Sequence, residues 1–348
     1  MAGKSDVPLA EIVAPLLAWF DRSARTLPWR TEPGVRRDPY RVWLSEIMLQ
    51  QTTVPHAAPY FAAFTARWPT VEALAAARDE DVMQAWAGLG YYARARNLLK
   101  CAREVAARGG FPDTEADLRT LPGIGPYTAG AIAALAFGER TPAVDGNAER
   151  VFARLLAMKE EWAAAKKRIG ALARDIVPAD RPGAFAEALM DLGATVCTPK
   201  KPNCAICPLA GRCAARAEGD PERYPLKPEK AARPVRHGTA FVLRNKDKVW
   251  LVRRPPSGLL GGMLALPGSD WTETKQAADA PLEAGWERLG EVRHVFTHFS
   301  LQLDVLAAET RATELPEGFW APSDDLTGLP TVFAKAAALA GLSARRKR

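Results

Sequence analysis

Four of the five cysteines in this 348-residue chain fall within 17 residues, as Cys197-x6-Cys204-x2-Cys207-x5-Cys213. In a reducing compartment, clustered thiols of this kind hold metal rather than form disulfides. Zinc sites usually pair two C-x2-C knuckles and only one is present, so the spacing suits either zinc or a [4Fe–4S] cluster. The stretch Thr198-Pro-Lys-Lys-Pro-Asn203 is flanked by ligands on both sides, which would hold Lys200 and Lys201 ready for a phosphate. Cys101 stands apart in a helical run and reads as a buried apolar residue.

A pair of carboxylates offers a second chemistry. Glu46 lies in Asp38-Pro-Tyr-Arg-Val-Trp-Leu-Ser-Glu-Ile-Met-Leu-Gln-Gln-Thr52, with Asp38 as N-cap and Pro39 at the first helical position. At a helical period, Tyr40, Trp43, Leu44, Ile47 and Met48 make one stripe, while Val42 and Leu49 make the opposite face apolar too. A helix buried nearly all round has little use for a carboxylate. Desolvation there raises the pKa of Glu46 and favours its protonated acid; the plainer alternative is a structural residue with a buried partner. Asp145, in Val144-Asp-Gly-Asn147, precedes a helix striped by Val151, Phe152, Leu155 and Leu156. Asp145 or Asn147 caps that helix, whose positive end suits an ionised carboxylate. An acid kept protonated and a carboxylate kept ionised are the two halves of acid-assisted bond cleavage with electrostatic or nucleophilic support. A long stretch of chain separates them, and nothing local makes them meet.

The third feature is Leu118-Arg-Thr-Leu-Pro-Gly-Ile-Gly-Pro-Tyr-Thr-Ala-Gly-Ala-Ile132, a helix, a glycine hairpin and a second helix. Thr114 with Asp117 forms a capping-box start, Gly123 and Gly125 let the chain turn through φ > 0, and Pro126 opens the next helix. Such a turn aims free N–H groups at a phosphate, making a DNA-backbone grip, or else is an ordinary helical connection. Upstream, Gly88-Leu-Gly-Tyr-Tyr-Ala-Arg-Ala-Arg-Asn97 sets two tyrosines beside Arg94, Arg96 and Lys100. Aromatics among basic residues suit stacking on, or wedging between, bases. The bland alternative has one tyrosine in the core and the arginines merely solvated.

Helices must position these groups. Residues 8–22 read as an amphipathic helix ending before Leu27-Pro-Trp-Arg30, and further helical segments follow at 56–67, 70–77 and 79–87. The Pro- and charge-rich residues 217–236 read as a linker. Beyond it the pattern becomes extended: Thr239 to Leu243 and Val249 to Val252 flank Asn245-Lys-Asp-Lys248 as a hairpin, Val292 to Leu306 continues as strand, and 331–342 closes with a helix. The chain therefore reads as residues 1–216, mostly α, then the linker, then a smaller α/β domain over 237–348. Residues 1–236 carry 33 Lys and Arg against 27 Asp and Glu, and 237–348 carry 14 against 13, so the mild positive bias that favours a polyanion lies in the first part. No uncharged apolar run of membrane-spanning length occurs, and Met1-Ala-Gly-Lys-Ser-Asp6 lacks a signal-peptide core, which points to a soluble cytoplasmic protein. The terminal Arg345-Arg-Lys-Arg348 reads as a frayed basic tail.

With hairpin, Asp145 and cysteine spacing together, the first 215 or so residues resemble the helix-hairpin-helix DNA glycosylases of the endonuclease III superfamily. Leu27-Pro-Trp-Arg30, Ser45-Glu-Ile-Met-Leu-Gln-Gln51 and Gly88-Leu-Gly-Tyr-Tyr92 narrow the resemblance to the adenine DNA glycosylase (MutY) family. The resemblance implies a two-lobed all-α catalytic domain with a [4Fe–4S] cluster, acting as a monomer on double-stranded DNA that holds adenine opposite 8-oxoguanine. It implies that Glu46 protonates the adenine and later handles the water, that Asp145 stabilises or traps the sugar cation, and that Tyr127 and Asn147 line the site. Trp29, Arg30 and Glu187 match positions that contact the flipped adenine; Gln51 and Tyr91 match those that fill the opened stack. Residues 237–348 are similar to the family's Nudix-like 8-oxoguanine recognition domain, with Phe296-Thr-His298 aligned to its Phe-Ser-His loop. Thr297 departs from the usual serine, adding a methyl to a loop that approaches the lesion, and Ala186 departs from the usual asparagine beside Glu187. The acidic Nudix box is absent, so no pyrophosphohydrolase activity is expected. The rivals are an endonuclease III-like lyase, which would need a lysine where Tyr127 stands, and a non-catalytic iron–sulfur DNA binder.

Overall fold

In the computed structural model, which describes residues 9–32, 35, 37–226, 232–255, 258–326 and 328–342, the chain forms two units, Met1–Glu229 and Lys230–Arg348. The N-terminal Met1 to Asp6, residues 227–231 of the expected linker and the basic tail at 345–348 lie outside the described residues. The first unit is helical: α1 (Val13–Ser23), α2 (Pro39–Leu49), α3 (Val54–Arg67), α4 (Val71–Ala75), α5 (Asp79–Ala85), α6 (Ala93–Ala107), α7 (Glu115–Leu118), α8 (Pro126–Ile132), α9 (Gly146–Leu155), α10 (Trp162–Ile176), α11 (Pro182–Thr195) and α12 (Ala214–Ala217). It has two lobes, each with its own core. One gathers Trp43, Phe61, Phe64, Trp86 and Leu98 from α2, α3, α6 and their neighbours. The other gathers Leu16, Phe152, Ile169, Phe185 and Leu189 from α1, α9, α10 and α11. Full burial of one such side chain contributes roughly 1.5–3 kcal/mol, so each lobe is held by many independent contributions.

Local signals start most of these helices. The Asp38 carboxylate accepts from the Tyr40 amide and Pro39 occupies the first turn of α2, which is buried on every face from Val42 to Met48. Thr114 caps α7 through the Asp117 amide, but Asp117 takes up the Thr114 hydroxyl instead of its amide, leaving the reciprocal half of the box unmade. The hairpin differs from expectation at one glycine. Gly123 turns through φ 77°, whereas Gly125 is the extended N-cap of α8, at φ −88° and ψ 176°. An N-cap lies outside the helix with β-type dihedrals, so Gly125 needs no left-handed conformation. A Cβ at Gly125 would meet nothing within 4 Å, whereas one at Gly123 would lie 2.8 Å from Asn97 Cβ on α6.

Of the expected linker, residues 217–226 are mostly exposed but are tied to the helical unit at Tyr224. Tyr224 is buried against Ala157 and Ala215, its hydroxyl donates to Glu218 (2.6 Å), and its carbonyl accepts from Arg154 Nε (3.1 Å).

The second unit is a mixed sheet of β1 (Val235–Asn245), β2 (Lys248–Arg253), β3 (Leu264–Ala265), β4 (Glu287–Val295), β5 (Ser300–Glu309) and β6 (Phe319–Pro322), with α13 (Thr331–Leu339) upon it. The strand order is β3-β2-β1-β5-β4, with β6 also paired to β2. β1 and β2 form the expected hairpin, closed at Asn245↔Lys248, and β1 runs parallel to β5. The stretch from Val292 to Leu306, expected as further strand with the Phe296-Thr-His298 loop within it, is two antiparallel strands, β4 and β5, paired at Val295↔Ser300. A tight turn breaks it, closed by the Phe296 amide donating to the Phe299 carbonyl at 2.9 Å. Thr297 and His298 are exposed at its tip, and Phe296 is half-buried.

Candidate active site

Between the two helical lobes lies a cavity of about 1010 Å³. Glu46, Tyr127, Asp145, Asn147, Trp29, Arg30, Glu187 and Gln51 all line it, so residues far apart in the chain converge on one place. Glu46, on α2, is only 8 % exposed. Burial pushes its pKa up to about 7; a Tyr127 hydroxyl within hydrogen-bonding reach opposes the rise, the charges of Asp145 and Glu187 add to it, and Arg30 opposes it. Burial and the charges of Glu46 and Asp145 drive the Tyr127 phenol well above its ordinary value, so it remains a neutral donor.

Asp145 is the N-cap of α9 and both its oxygens are engaged. Oδ1 accepts from the amides of Asn147 (3.0 Å) and Ala148 (2.8 Å), and Oδ2 accepts from Asn147 Nδ2 (2.7 Å). Together these bonds hold the carboxylate in one orientation. Asn147 is itself held by Arg150, which donates to Asn147 Oδ1 (2.8 Å), the Gly193 carbonyl (2.7 Å) and the Cys197 carbonyl (2.8 Å). Gly193 allows this meeting, since a Cβ there would lie 2.5 Å from Asn147 Cβ.

The opposite wall is a network of charges on α11 and the loop before α2. Arg30 donates through Nε to Glu187 (2.9 Å) and through both terminal nitrogens to Asp191 (2.7 and 2.9 Å). Asp191, fully buried, also accepts from Arg25 Nε (2.6 Å) and the Arg25 amide (3.0 Å). Burial works against its charge, but the Arg30 and Arg25 bonds outweigh it and hold the Asp191 pKa below the usual carboxylate range. Arg37 grips both oxygens of Glu187 at 2.6 Å. Arg30 and Glu187, two of the expected base-contacting residues, are therefore bonded to each other. Arg25, Arg37 and Asp191 were not singled out from the sequence, though the four-residue spacing of Glu187 and Asp191 on a helix places them on one face.

Tyr91 lies outside the cavity lining and is 52 % exposed. It shares with Gln51 a left-handed backbone, φ 49° and 57° respectively, which non-glycine residues adopt only where their surroundings enforce it. Arg94 enforces both turns. Its guanidinium donates to the Ile47 and Met48 carbonyls (2.9 and 3.1 Å) at the end of α2, and to Leu89 and Gly90 carbonyls beside Tyr91. Neither reading of Arg94 from the sequence, base stacking or simple solvation, fits this clasp; a cation at a helix C-terminus is favoured by the helix dipole.

The four clustered cysteines fit an iron–sulfur group. Burial pushes Cys207 up to about 11, and the other three thiols add to the rise. Among the described residues no group of three or more His, Cys, Asp or Glu is set to hold a single metal ion. Arg154, fully buried, donates to Cys197 Sγ (3.3 Å) and to the Thr198 and Pro199 carbonyls. Lys200 and Lys201 are exposed on the loop thus anchored, and the Lys201 amide donates to Glu222 (2.8 Å).

Comparison with known proteins places these features together elsewhere. The family model described as HhH-GPD superfamily base excision DNA repair protein matches residues 44–179, the iron–sulfur binding domain of endonuclease III matches 197–213, and the NUDIX domain matches 239–339. Over 89% of its length the chain is 36% identical to the adenine DNA glycosylase of Homo sapiens, spanning 70% of that protein. It is 42% identical to that of Mycolicibacterium smegmatis over 59% of the chain and 70% of the relative. It is 38% identical to the Arabidopsis thaliana enzyme, of which it spans 54%. Among solved structures, a thermostable thymine-DNA glycosylase superposes with a TM-score of 0.54 at 28% identity, covering 61% of this chain and 98% of that one. An endonuclease III–DNA complex, at 22% identity and TM-score 0.51, shares the fold. The zinc alternative left open by cysteine spacing is thereby closed: Cys197, Cys204, Cys207 and Cys213 stand in an iron–sulfur domain, and the cofactor is a [4Fe–4S] cluster.

Proposed function

The chain belongs to the adenine DNA glycosylase family, and from that premise we propose that it hydrolyses the N-glycosidic bond of adenine mispaired with 8-oxoguanine or guanine in double-stranded DNA. It is a base-excision-repair glycosylase. The observation that carries the finer reading is Glu46, an acid with its pKa pushed up to about 7, in one cavity with an Asp145 carboxylate fixed by three hydrogen bonds. Glu46 donates its proton to a ring nitrogen of the flipped adenine, which then leaves with the bonding electrons of C1′–N9. Asp145 compensates the positive sugar that remains, from within a site where preorganised charge is worth most. Water adds to C1′ and its proton returns to Glu46, restoring the acid. Asn147 holds the Asp145 carboxylate in place, as its bond to Oδ2 supports, and the Tyr127 hydroxyl does the same for Glu46 from beside it in the cavity.

The remaining assignments follow from the same likeness. Trp29, Arg30 and Glu187 receive the base, with the Arg30–Glu187 pair opening its bonds toward adenine. Gln51 and Tyr91, both in strained turns, enter the vacated stack. The hairpin at Gly123 and Gly125 grips the backbone, and open space over Gly125 suits that role. The cluster's four cysteines serve to tie down the loop bearing Lys200 and Lys201. Phe296-Thr297-His298 reads the opposite base, because adenine is a normal base and its own pocket has no means of knowing that it is misplaced. We place the enzyme with the DNA inside the cell, acting as a monomer; no helix among the described residues is long and apolar enough to cross a membrane.

Single-turnover excision on duplexes with adenine opposite 8-oxoguanine, guanine or thymine tests the reading. Fast excision opposite 8-oxoguanine, slower opposite guanine and least opposite thymine is expected, with strand cleavage only after alkali or heat. Efficient borohydride trapping through a pocket lysine would move the enzyme to the lyase class, which the phenol of Tyr127 argues against, having no amine to form a Schiff base.

A further inference from the structure

The Phe296–Phe299 turn stands on an aromatic support that lies far from it in sequence. The Trp271 ring is 5.4 Å from that of Phe296, tilted by 30°, and also meets Phe299 and Phe333 of α13, each at 6.2 Å. Phe296 is flanked in turn by His294 at 4.5 Å and Phe299 at 4.9 Å. Trp271 has little freedom. The segment that carries it is zipped to β1 by the Phe241 amide on the Pro267 carbonyl (2.8 Å), the Ser269 amide on Thr239 (3.0 Å) and a reciprocal pair between His237 and Thr272 (2.7 and 3.0 Å). Its indole fills space that β1 leaves empty, since a Cβ on Gly238 would lie 2.5 Å from Trp271 Cδ1. The Arg254 guanidinium lies 5.0 Å from the indole centroid, with its Nε buried and without a hydrogen-bond partner. Leaving a buried donor unsatisfied is costly, and the indole face offsets part of that cost only while the ring stays in place.

We propose that Trp271, held over Gly238 and against Arg254, is a positioning residue that fixes Phe296 and so presents Thr297 and His298 to the base opposite the excised adenine. The inference rests on the reading of this turn as the partner-base reader. Its physical basis is preorganisation. Thr297 and His298 project into solvent from a turn closed by the Phe296–Phe299 backbone bond, so the aromatic cluster beneath is what orders the tip before DNA arrives. A loop ordered in advance loses less entropy on binding and discriminates better between partners.

The test uses the full chain and compares single-turnover excision of adenine opposite 8-oxoguanine with that opposite guanine; the readout is the ratio of the two rates. Trp271→Leu and Gly238→Ala, which removes or displaces the indole, should each lower the ratio by roughly three- to tenfold, the effect of losing one aromatic pair. Trp271→Phe should restore most of it. A purely structural role would change both rates together and leave the ratio alone. Phe296→Ala, measured alongside, separates the two readings: loss of preference in Phe296→Ala with none in Trp271→Leu overturns the role of Trp271 and leaves the turn as reader. An unchanged ratio in both variants overturns the turn itself.

Discussion

Glu46 shows how burial alone makes a reagent from a common side chain. Its pKa of about 7 lies far above the ordinary 4.5, chiefly because water is excluded from α2, and its protonated form is the proposed acid. Above about pH 7 the excision rate should therefore fall by about tenfold per unit. Glu46→Gln should abolish excision while mispair binding persists; near-native single-turnover rates in that variant would remove Glu46 from the mechanism. The same shift affects stability. Between pH 4.5 and 7 the folded state retains a proton that the unfolded chain releases, so the native protein loses stability relative to Glu46→Gln as pH rises through that window. The gap should reach on the order of 3 kcal/mol above it, read as a difference in melting temperature between pH 5 and pH 8. Asp191 has the opposite sign. Its depressed pKa stabilises the fold above the ordinary 3.8, and that stabilisation disappears as pH falls below its folded value. Asp191→Asn should cost about 3–5 kcal/mol at neutral pH, because it strands Arg25 and Arg30 without their shared anion, and the cost should vanish in strong acid. Equal melting temperatures at pH 7 would show that the arginines find other partners.

At the scale of elements, the site is built at helix ends. The N-terminus of α9 supplies the amides that fix Asp145, and the C-terminus of α2 supplies the carbonyls that Arg94 clasps. Helix ends present unpaired backbone groups in fixed directions, which makes them better supports than loops. α11 contributes along its length, with Glu187 and Asp191 one turn apart and Gly193 thinned to admit Asn147. The loop between Cys197 and Cys204 extends this logic, held by Arg154 from below. Each phosphate contact steepens the log–log salt dependence of binding by about 0.9, so Lys200→Ala with Lys201→Ala should weaken binding and flatten the slope by up to about 1.8. Unchanged affinity and slope would exclude that loop from the DNA interface.

At the scale of the molecule, the proposed reading divides the labour between the two units. Residues 9–226 contain both helical cores, the cavity and the cysteines, and the second unit has a core of its own around Val242, Leu303 and Val305. A protein ending after Leu226 should fold, retain its iron and excise adenine measurably, yet show a reduced preference for 8-oxoguanine over guanine. Preference equal to that of the full chain would return recognition of the partner base to the helical unit.

Features with a local cause were legible before any coordinates. Asp38, Thr114 and Asp145 cap helices because a short polar side chain reaches its own neighbouring amides, and the apolar stripes around Glu46 forecast its burial. The cysteine spacing signalled a metal group for the same reason, since its ligands are close in sequence. Convergence was another matter. That Glu46 meets Asp145, that Arg94 closes on the end of α2 and that Asp191 collects Arg25 and Arg30 depend on how lobes pack, which no local period encodes. Gly125 was misread because a glycine wanted for open space looks the same in sequence as one wanted for positive φ. The turn between β4 and β5 was legible only through the resemblance, as the Phe296-Thr-His298 loop, because Phe296-Thr-His-Phe299 has no Gly, Pro, Asn or Asp to mark it. Its packing on Trp271, over a glycine on another strand, was not legible, since side-chain packing between segments far apart in the chain has no signature in either segment alone.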